Sequence, residues 1–360
     1  MLMTSKTRVA VIYGGKSTEH SVSCVTAGAI MSHLDPERYE IIPIAITKEG
    51  TWTIGVTEGL EIKDGKLPEV EEADELTVSL NPRGDGQIHN VTRGTLHADI
   101  DVVFPALHGV NGEDGTVQGV FEMAGIPYVG TGVMSSAVCM DKEFMRKLMV
   151  AEGLPVTRDV ILRGRTELTD AEKDHLGLPV FVKPARGGSS IGVSKVNTWD
   201  ELPAAIAEAA AFDDKVIVEA ELVGAEVEVG VLEYPTGELV ASVPAKLNGT
   251  EDSDEGFYGF DTKYLDNTVT ATIPAPFDEA TTKALQDLAV ETFQALNCEG
   301  LSRVDFFVTE QGPMINEINT LPGFTPISMY PQVFLASGVS YPELLDTLIA
   351  TALAKANQDV

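Results

Sequence analysis

Cysteine is scarce, with only Cys24, Cys139 and Cys298 in 360 residues. Set far apart along the chain in apolar stretches, they match no zinc or disulfide spacing, which excludes a disulfide-stapled scaffold and leaves them as small core residues. Basic residues are also few: Lys and Arg total 25 against 55 Asp and Glu, for a formal charge of −30. So negative a chain repels polyanions at long range, which argues against nonspecific binding to nucleic acid or to an anionic membrane. A small anionic ligand is not excluded, because a few buried lysines and a metal can dominate locally. Long apolar runs are missing too. No segment approaches a membrane span, and the run from Val9 to Tyr13 behind Lys6 and Arg8 is too short for a signal peptide. The expectation is a soluble, cytoplasmic protein in a reducing compartment.

What is present is enough for several packed layers. A chain of 360 residues that is 44% hydrophobic has a natural prior of two or three α/β domains. The most informative stretch is Leu301 to Gly323, LSRVDFFVTEQGPMINEINTLPG. Arg303 to Val308 alternates polar and apolar, Thr309 to Pro313 supplies turn residues, and Met314 to Asn319 resumes an extended pattern. Side chains two apart on a strand share a face, so Arg303 goes with Asp305 and Glu317 with Asn319. If the turn pairs those faces, cross-strand neighbours lie roughly 5 Å apart and two carboxylates, an amide oxygen and a guanidinium converge. Oxygen ligands without His or Cys suit Mg²⁺, which substrate phosphates usually complete. The alternative is the solvated face of an antiparallel sheet.

Along the chain, Thr7 to Tyr13 reads as a strand, Gly14 and Gly15 as a turn, and the segment to His33 as a helix: a nucleotide-fold opening. Gly15-Lys16-Ser17 is not a Walker A loop, because Ala10 stands where the first glycine belongs. Glu19 at the helix start serves either the helix dipole or a substrate. Tyr39 to Ile46 is a strand, and Thr51 to Asn90 reads as irregular hairpins. Asp101 to Ala106 reads as a buried parallel strand, feeding a three-glycine turn from His108 to Gly115 and a helix near Thr116. A short helix holding Ser135, Ser136, Asp141 and Lys142 then leads to another at Glu143 to Glu152.

Leu178 to Lys183 and IGVSKV read as strands joined by PARGGSS, a long loop for a hairpin. Its Gly187, Gly188, Ser189 and Ser190 offer donors for phosphate oxygens, with Lys183 on the preceding strand. A strand follows this loop, which separates it from the P-loop and Rossmann fingerprints. Asp200 to Ala211 is helical, and Lys215 to Ala220 is a strand. Leu222 to Leu232 continues with Glu226 and Glu228 alternating. The acidic, glycine-punctuated segment 249–267 carries Lys263 and Tyr264 and has the length of a lid. Glu279 to Leu296 is a helix.

Taken together, six motifs in order resemble the ATP-grasp enzymes, and within them the D-alanine–D-alanine ligases. They are GGKSTEHSVS at 14–23, HGVNGEDGTVQG at 108–119, VKPARGGSSIGVSKV at 182–196, FDTKYLD at 260–266, RVDFF at 303–307 and NEINTLPGFTPISMYP at 316–331. The resemblance implies an α/β chain, α+β in its ATP-grasp part, with three domains: an N-terminal Rossmann-like domain at 1–130, a central subdomain at 131–219 and a C-terminal subdomain at 220–360. It also implies a homodimer that joins two D-alanines through an acyl phosphate at the expense of ATP.

By motif position, Lys142, Lys183 and Lys263 are implied to contact phosphates under the Gly187, Gly188, Ser189, Ser190 loop. Glu219, Ala220, Glu221 and Leu222 would line the adenine pocket, with Glu226 on the ribose. Asp305, Glu317 and Asn319 would hold two Mg²⁺ ions, Mn²⁺ substituting. Glu19 would bind the first D-alanine's ammonium, with His108 nearby, and would join Ser189 and Tyr264 in a hydrogen-bonded set. Arg303 and the Gly323 backbone would stabilise the tetrahedral oxyanion, and Ser328 with Met329 would take the second substrate's carboxylate. Two departures stand out: Gly259 replaces an acidic lid residue, and Ala220 stands where relatives often have lysine. The rival readings are a relative that uses D-lactate or D-serine, against which Tyr264 in a KY lid speaks, and a noncatalytic nucleotide-binding protein, against which the complete set of lysines and metal ligands speaks.

Overall fold

In the computed structural model, which describes residues 6–63, 65–81, 86–188, 190–249, 270–325 and 327–357, the β-branched start of the chain forms β1 (Thr7–Gly14). It turns at Gly14 and Gly15, both at positive φ, and a Cβ on Gly14 would meet the Ile46 carbonyl oxygen at 2.3 Å, so only glycine fits. After α1 (His20–His33) come β2 (Tyr39–Ile46) and β3 (Trp52–Ile54). The stretch expected as irregular hairpins yields β4 (Leu76–Val78) paired antiparallel with β5 (Gln87–Asn90), and β6 (Thr95–Asp99) just beyond it completes a separate antiparallel sheet. Its strands are too short and polar to announce themselves by alternation. β7 (Val102–Pro105) returns beside β1 to complete the order β3-β2-β1-β7, parallel from β2 to β7. Next, α2 (Thr116–Ala124) covers one face of this sheet through Val117 and Phe121.

The helices α3 (Val133–Met140) and α4 (Lys142–Ala151) break at Asp141, which caps α4 by accepting from Glu143 N at 3.2 Å. The break falls one residue earlier than expected, so Lys142 opens the second helix. The antiparallel second sheet follows, made of β8 (Asp159–Arg163), β9 (Val180–Pro184), β10 (Ser194–Val196) and β11 (Lys215–Ala220) in the order β10-β9-β11-β8. Two helices, α5 (Asp170–Leu176) and α6 (Leu202–Ala210), belong to this unit, and α6 packs Ala205 and Ile206 into its core. IGVSKV pairs only over its last three residues, which lengthens the loop before it.

The third sheet holds β12 (Ala225–Glu233), β13 (Leu239–Ala241), β14 (Ala245–Asn248), β15 (Thr270–Thr272), β16 (Leu301–Thr309) and β17 (Gly312–Asn319). Its order is β15-β14-β12-β16-β17, with β13 beside β12. The helix α7 (Glu279–Ala295) packs Leu285 and Phe293 on it, together with Met145 and Met149 of α4. Two helices not foreseen, α8 (Met329–Ala336) and α9 (Tyr341–Ala356), carry the chain back: Tyr330, Leu345 and Leu348 share a core with Val11 and Phe104 of the first sheet. The C-terminus thus bolts the third sheet to the first. All three cysteines are buried and free, as expected, although Cys139 and Cys298 bring their sulfurs to 4.0 Å. Among the described residues no single helix is long and apolar enough to cross a membrane.

Candidate active site

The β16–β17 hairpin forms as its alternation predicts, with Asp305 opposite Glu317 and Arg303 opposite Asn319. A register shift between Asp305 and Phe306 bulges β17 beside the two carboxylates. On the other side of β16, Glu228 of β12 lies opposite Asp305. Three carboxylates therefore stand in a row across three strands, an arrangement that repels unless a cation intervenes. Arg303 does so: its Nε and Nη2 donate to Asp305 at 2.7 and 2.8 Å, and Nε lies 3.1 Å from Glu228 Oε2. Burial by itself would lower the Arg303 pKa, but Asp305 and Glu228 outweigh it and hold the guanidinium well above its usual value. Asn319 Nδ2 donates to Asp305 Oδ2 at 3.0 Å.

Between the second and third sheets lies a cleft of about 570 Å³. Lys142, Lys183, Gly187, Gly188, Ser190, Glu219, Ala220, Glu221, Leu222, Glu226, Asp305 and Glu317 all line it, joined by the apolar surfaces of Phe181, Leu247 and Phe306. Lys142 Nζ donates to the Gly187 carbonyl at 2.9 Å and sits 3.5 Å from Glu317 Oε2. Lys183 pairs with Glu219, whose carboxylate Arg146 also holds. Burial keeps Lys183 below the usual lysine range against the pull of Glu219. It pushes Glu219 upward, yet Arg146 and Lys183 keep that carboxyl below its ordinary value.

A second cavity, of about 150 Å³, shares Lys142, Gly187, Gly188, Glu228 and Glu317 with the first. Its wall gathers Glu19, His108, Arg303, Asn319, Gly323, Ser328 and Met329 from all parts of the chain. Glu19 occupies the N-cap position of α1 and makes no side-chain capping hydrogen bond. Its Oε2 crowds the 108–115 turn, where a Cβ on Gly109 would come to 2.7 Å, and faces Gly188 of the phosphate-type loop, where a Cβ would come to 3.4 Å. His108 Nε2 lies 3.1 Å from Thr26 Oγ1, and burial holds its pKa down against the attraction of Glu19. Glu113 accepts from Gly109 N at 2.7 Å and is pushed up to about 8, first by burial and then by Glu19. Ser328 Oγ accepts from Thr325 N at 3.0 Å and approaches Gly323 closely enough that a Cβ there would come to 2.8 Å.

Ser189, Lys263 and Tyr264 lie outside the described residues, as does the expected lid of 249–267 from residue 250 onward. The other expected site residues line one cavity or both. Sequence reasoning passed over Glu113, Arg146 and Glu228. Glu228 was within reach, being in step with Glu226 on a strand beside Asp305; Arg146 and Glu113 acquire their partners only through tertiary packing.

Sequence profiles described as D-ala D-ala ligase N-terminus and D-ala D-ala ligase C-terminus match residues 8–131 and 146–350. A D-alanine–D-alanine ligase of Corynebacterium aurimucosum is 65% identical over 348 residues, covering 97% of this chain and 98% of that protein. Among solved structures, the D-alanine–D-alanine ligase of Coxiella burnetii superposes with a TM-score of 0.84 at 33% identity, covering 99% of this chain and 96% of the other. The VanG D-Ala:D-Ser ligase of Enterococcus faecalis gives 0.83 at 38%, covering 97% and 100%. With matching profiles over both halves and relatives aligned nearly end to end, the chain belongs to the D-alanine–D-alanine ligase family, on the ATP-grasp fold.

Proposed function

We propose that this chain joins two D-alanine molecules into D-alanyl-D-alanine, with ATP converted to ADP and phosphate, for peptidoglycan precursor synthesis. The observation that carries the reading is the shared wall: a cleft that holds Lys183 and a cavity that holds Glu19 and Arg303 meet at Lys142, Gly187, Gly188, Glu228 and Glu317. A phosphoryl group held in one can reach a carboxylate held in the other without entering water.

In this reading the adenine lies along Glu219, Ala220, Glu221 and Leu222, and the ribose against Glu226. Ala220 offers only its backbone there. Lys142, Lys183 and Lys263 neutralise the phosphates, with Gly187, Gly188, Ser189 and Ser190 covering them. Glu19 holds the first D-alanine's ammonium beside His108, and joins Ser189 and Tyr264 in tying the first domain to the loop and lid. A carboxylate oxygen of that D-alanine attacks the γ-phosphorus, ADP leaves, and an acyl phosphate remains. The second D-alanine, its carboxylate at Ser328 and Met329, attacks the acyl carbon with its free amine. Arg303 and the Gly323 backbone stabilise the oxyanion of the tetrahedral intermediate, which collapses as phosphate leaves and the amine loses a proton.

The donor set fits a hard cation: two opposed carboxylates and an amide. Among the described residues no three His, Cys, Asp or Glu side chains form a cage by themselves, which leaves phosphate oxygens and water to complete the coordination. Asp305, Glu317 and Asn319 would hold two Mg²⁺ ions, or Mn²⁺ in their place, and such ions supply charge neutralisation on the transferring phosphoryl group. The enzyme works in the cytoplasm, as a homodimer, on domains divided near residues 130 and 219.

The test is phosphate release from ATP and Mg²⁺ with D-alanine, L-alanine, D-serine, D-lactate or no amino acid, the product identified by mass. D-alanine-dependent release with a D-alanyl-D-alanine product is expected. Preferential use of D-lactate or D-serine as second substrate would reassign the acceptor, and ATP binding without turnover would favour the noncatalytic reading.

A further inference from the structure

The buried charge at the foot of the nucleotide cleft belongs to none of the roles above. Lys215, 7% exposed at the start of β11, sends Nζ to Asp141 and, at 3.0 Å, to Glu143 Oε2. Those two carboxylates flank Lys142 in sequence on either side. Arg163 and Lys147 also grip Glu143, and although burial pushes that carboxyl up, the three cations hold it down to about 2. The Phe144 ring closes over the Lys215 ammonium, its centroid 4.9 Å away.

The backbone around Lys215 links the same parts. Ala185 N donates to the Lys215 carbonyl and Lys142 N to the Ala185 carbonyl, both at 2.9 Å. Two residues before Lys215, buried Asp213 accepts from Arg186 N, Nε and Nη2 at 2.8, 3.1 and 2.6 Å, fixing the entry to the loop, and from Lys215 N at 3.0 Å. At the loop's far end, Gly192 packs against Phe212, where a Cβ would come to 2.7 Å. Residues 212–215 thus touch both pieces of the phosphate subsite: the helix end that presents Lys142 and the loop that begins at Gly187.

We infer that Lys215 is a positioning residue for the nucleotide phosphates, clamping Asp141 and Glu143 so that Lys142 projects from the end of α4 against the Gly187–Gly188 loop. It touches no nucleotide itself, because its ammonium is committed to the two carboxylates. Asp213 completes the clamp from the loop side. The inference rests on the reading that Lys142 and this loop bind phosphate.

Its test compares binding of ATP with Mg²⁺ and of adenosine, by calorimetry and without amino acid, in the full-length protein and in Lys215→Met, Lys215→Arg and Asp213→Asn, each checked for folding by thermal melting. The wild type is expected to prefer ATP to adenosine. Lys215→Met should lose about tenfold in ATP affinity, the scale of one misplaced charged hydrogen bond, with adenosine affinity kept. Lys215→Arg should retain most of the preference, and Asp213→Asn should lose a smaller part of it, which preserves the test if Lys215→Met does not fold. Undiminished ATP preference in the folded variants, or a parallel loss for adenosine, would overturn the positioning role. A wild type that binds adenosine as tightly as ATP would overturn the phosphate reading itself, and this inference with it.

Discussion

The two cavities share a wall but differ in the charges each adds to it. The larger cleft adds Lys183 and Lys195 beside Glu219, Glu221, Glu226 and Asp305, whereas the smaller cavity adds Glu19, Glu113 and Arg303. A formal charge of −30 said nothing of this division. In the proposed reading polyphosphate needs fixed cations and an amino acid's ammonium a fixed carboxylate; the lysines come from the second sheet and α4, and Glu19 and Glu113 from the segments before α1 and α2. Lys142 stands on the shared wall, and Arg303 lines the smaller cavity.

The sharpest way to break this contrast is at Glu317, on the shared wall. Glu317→Gln keeps the side-chain shape, so the chain should fold with an unchanged melting temperature, while kcat falls by about 10²- to 10³-fold, as when one preorganised electrostatic group is lost. Near-normal turnover would remove Glu317 from the phosphoryl site. Next in size is Lys183→Met in the cleft. The KM for ATP should rise about tenfold, with the KM for D-alanine little changed. A matched rise in both would show that the cavities do not divide the substrates as their charges suggest.

These two positions also mark what could be read from the sequence. The cleft was legible because its pieces are local: VKPARGGSS, the strand through Glu219, and a hairpin whose alternation put Arg303 with Asp305 and Glu317 with Asn319 on shared faces, though not the bulge beside Asp305. The small cavity was legible only through resemblance. Its walls come from residues near 19, 108, 303 and 328, and no periodicity links them. Glu113 is the clearest case, since what shifts its proton affinity is burial and the carboxylate of Glu19, both products of packing. Nor did α8 and α9 betray that they would cross back to cover β1 and β7. By contrast, β8 and α5 were missed despite a readable signal, the capping box of Thr169 and Glu172.

A smaller effect is expected on the amino acid side. Ser328→Ala removes a hydroxyl held by Thr325, and the KM for the second D-alanine should rise by about three- to tenfold with kcat nearly kept. A change in the KM for the first D-alanine instead would move Ser328 to the other subsite.

The smallest expected effect concerns stability. The folded chain keeps Glu113 protonated up to about 8, whereas the unfolded chain releases that proton at the ordinary carboxylate value. Between those values the native state binds the extra proton, so this group makes stability decline as pH rises through the window. Melting temperatures of Glu113→Gln should therefore fall less steeply than the wild type's between about pH 5 and about pH 8. Identical slopes would mean that Glu113 ionises freely in the fold.

In the proposed reaction a phosphoryl group crosses the shared wall onto the carboxylate of the first D-alanine. D-alanine labelled with ¹⁸O in both carboxylate oxygens, turned over with unlabelled ATP, follows that transfer atom by atom. Attack by the carboxylate on phosphorus predicts one labelled oxygen in each inorganic phosphate and one fewer in the peptide carbonyl unit. Phosphate free of label, with dipeptide still formed, would contradict it.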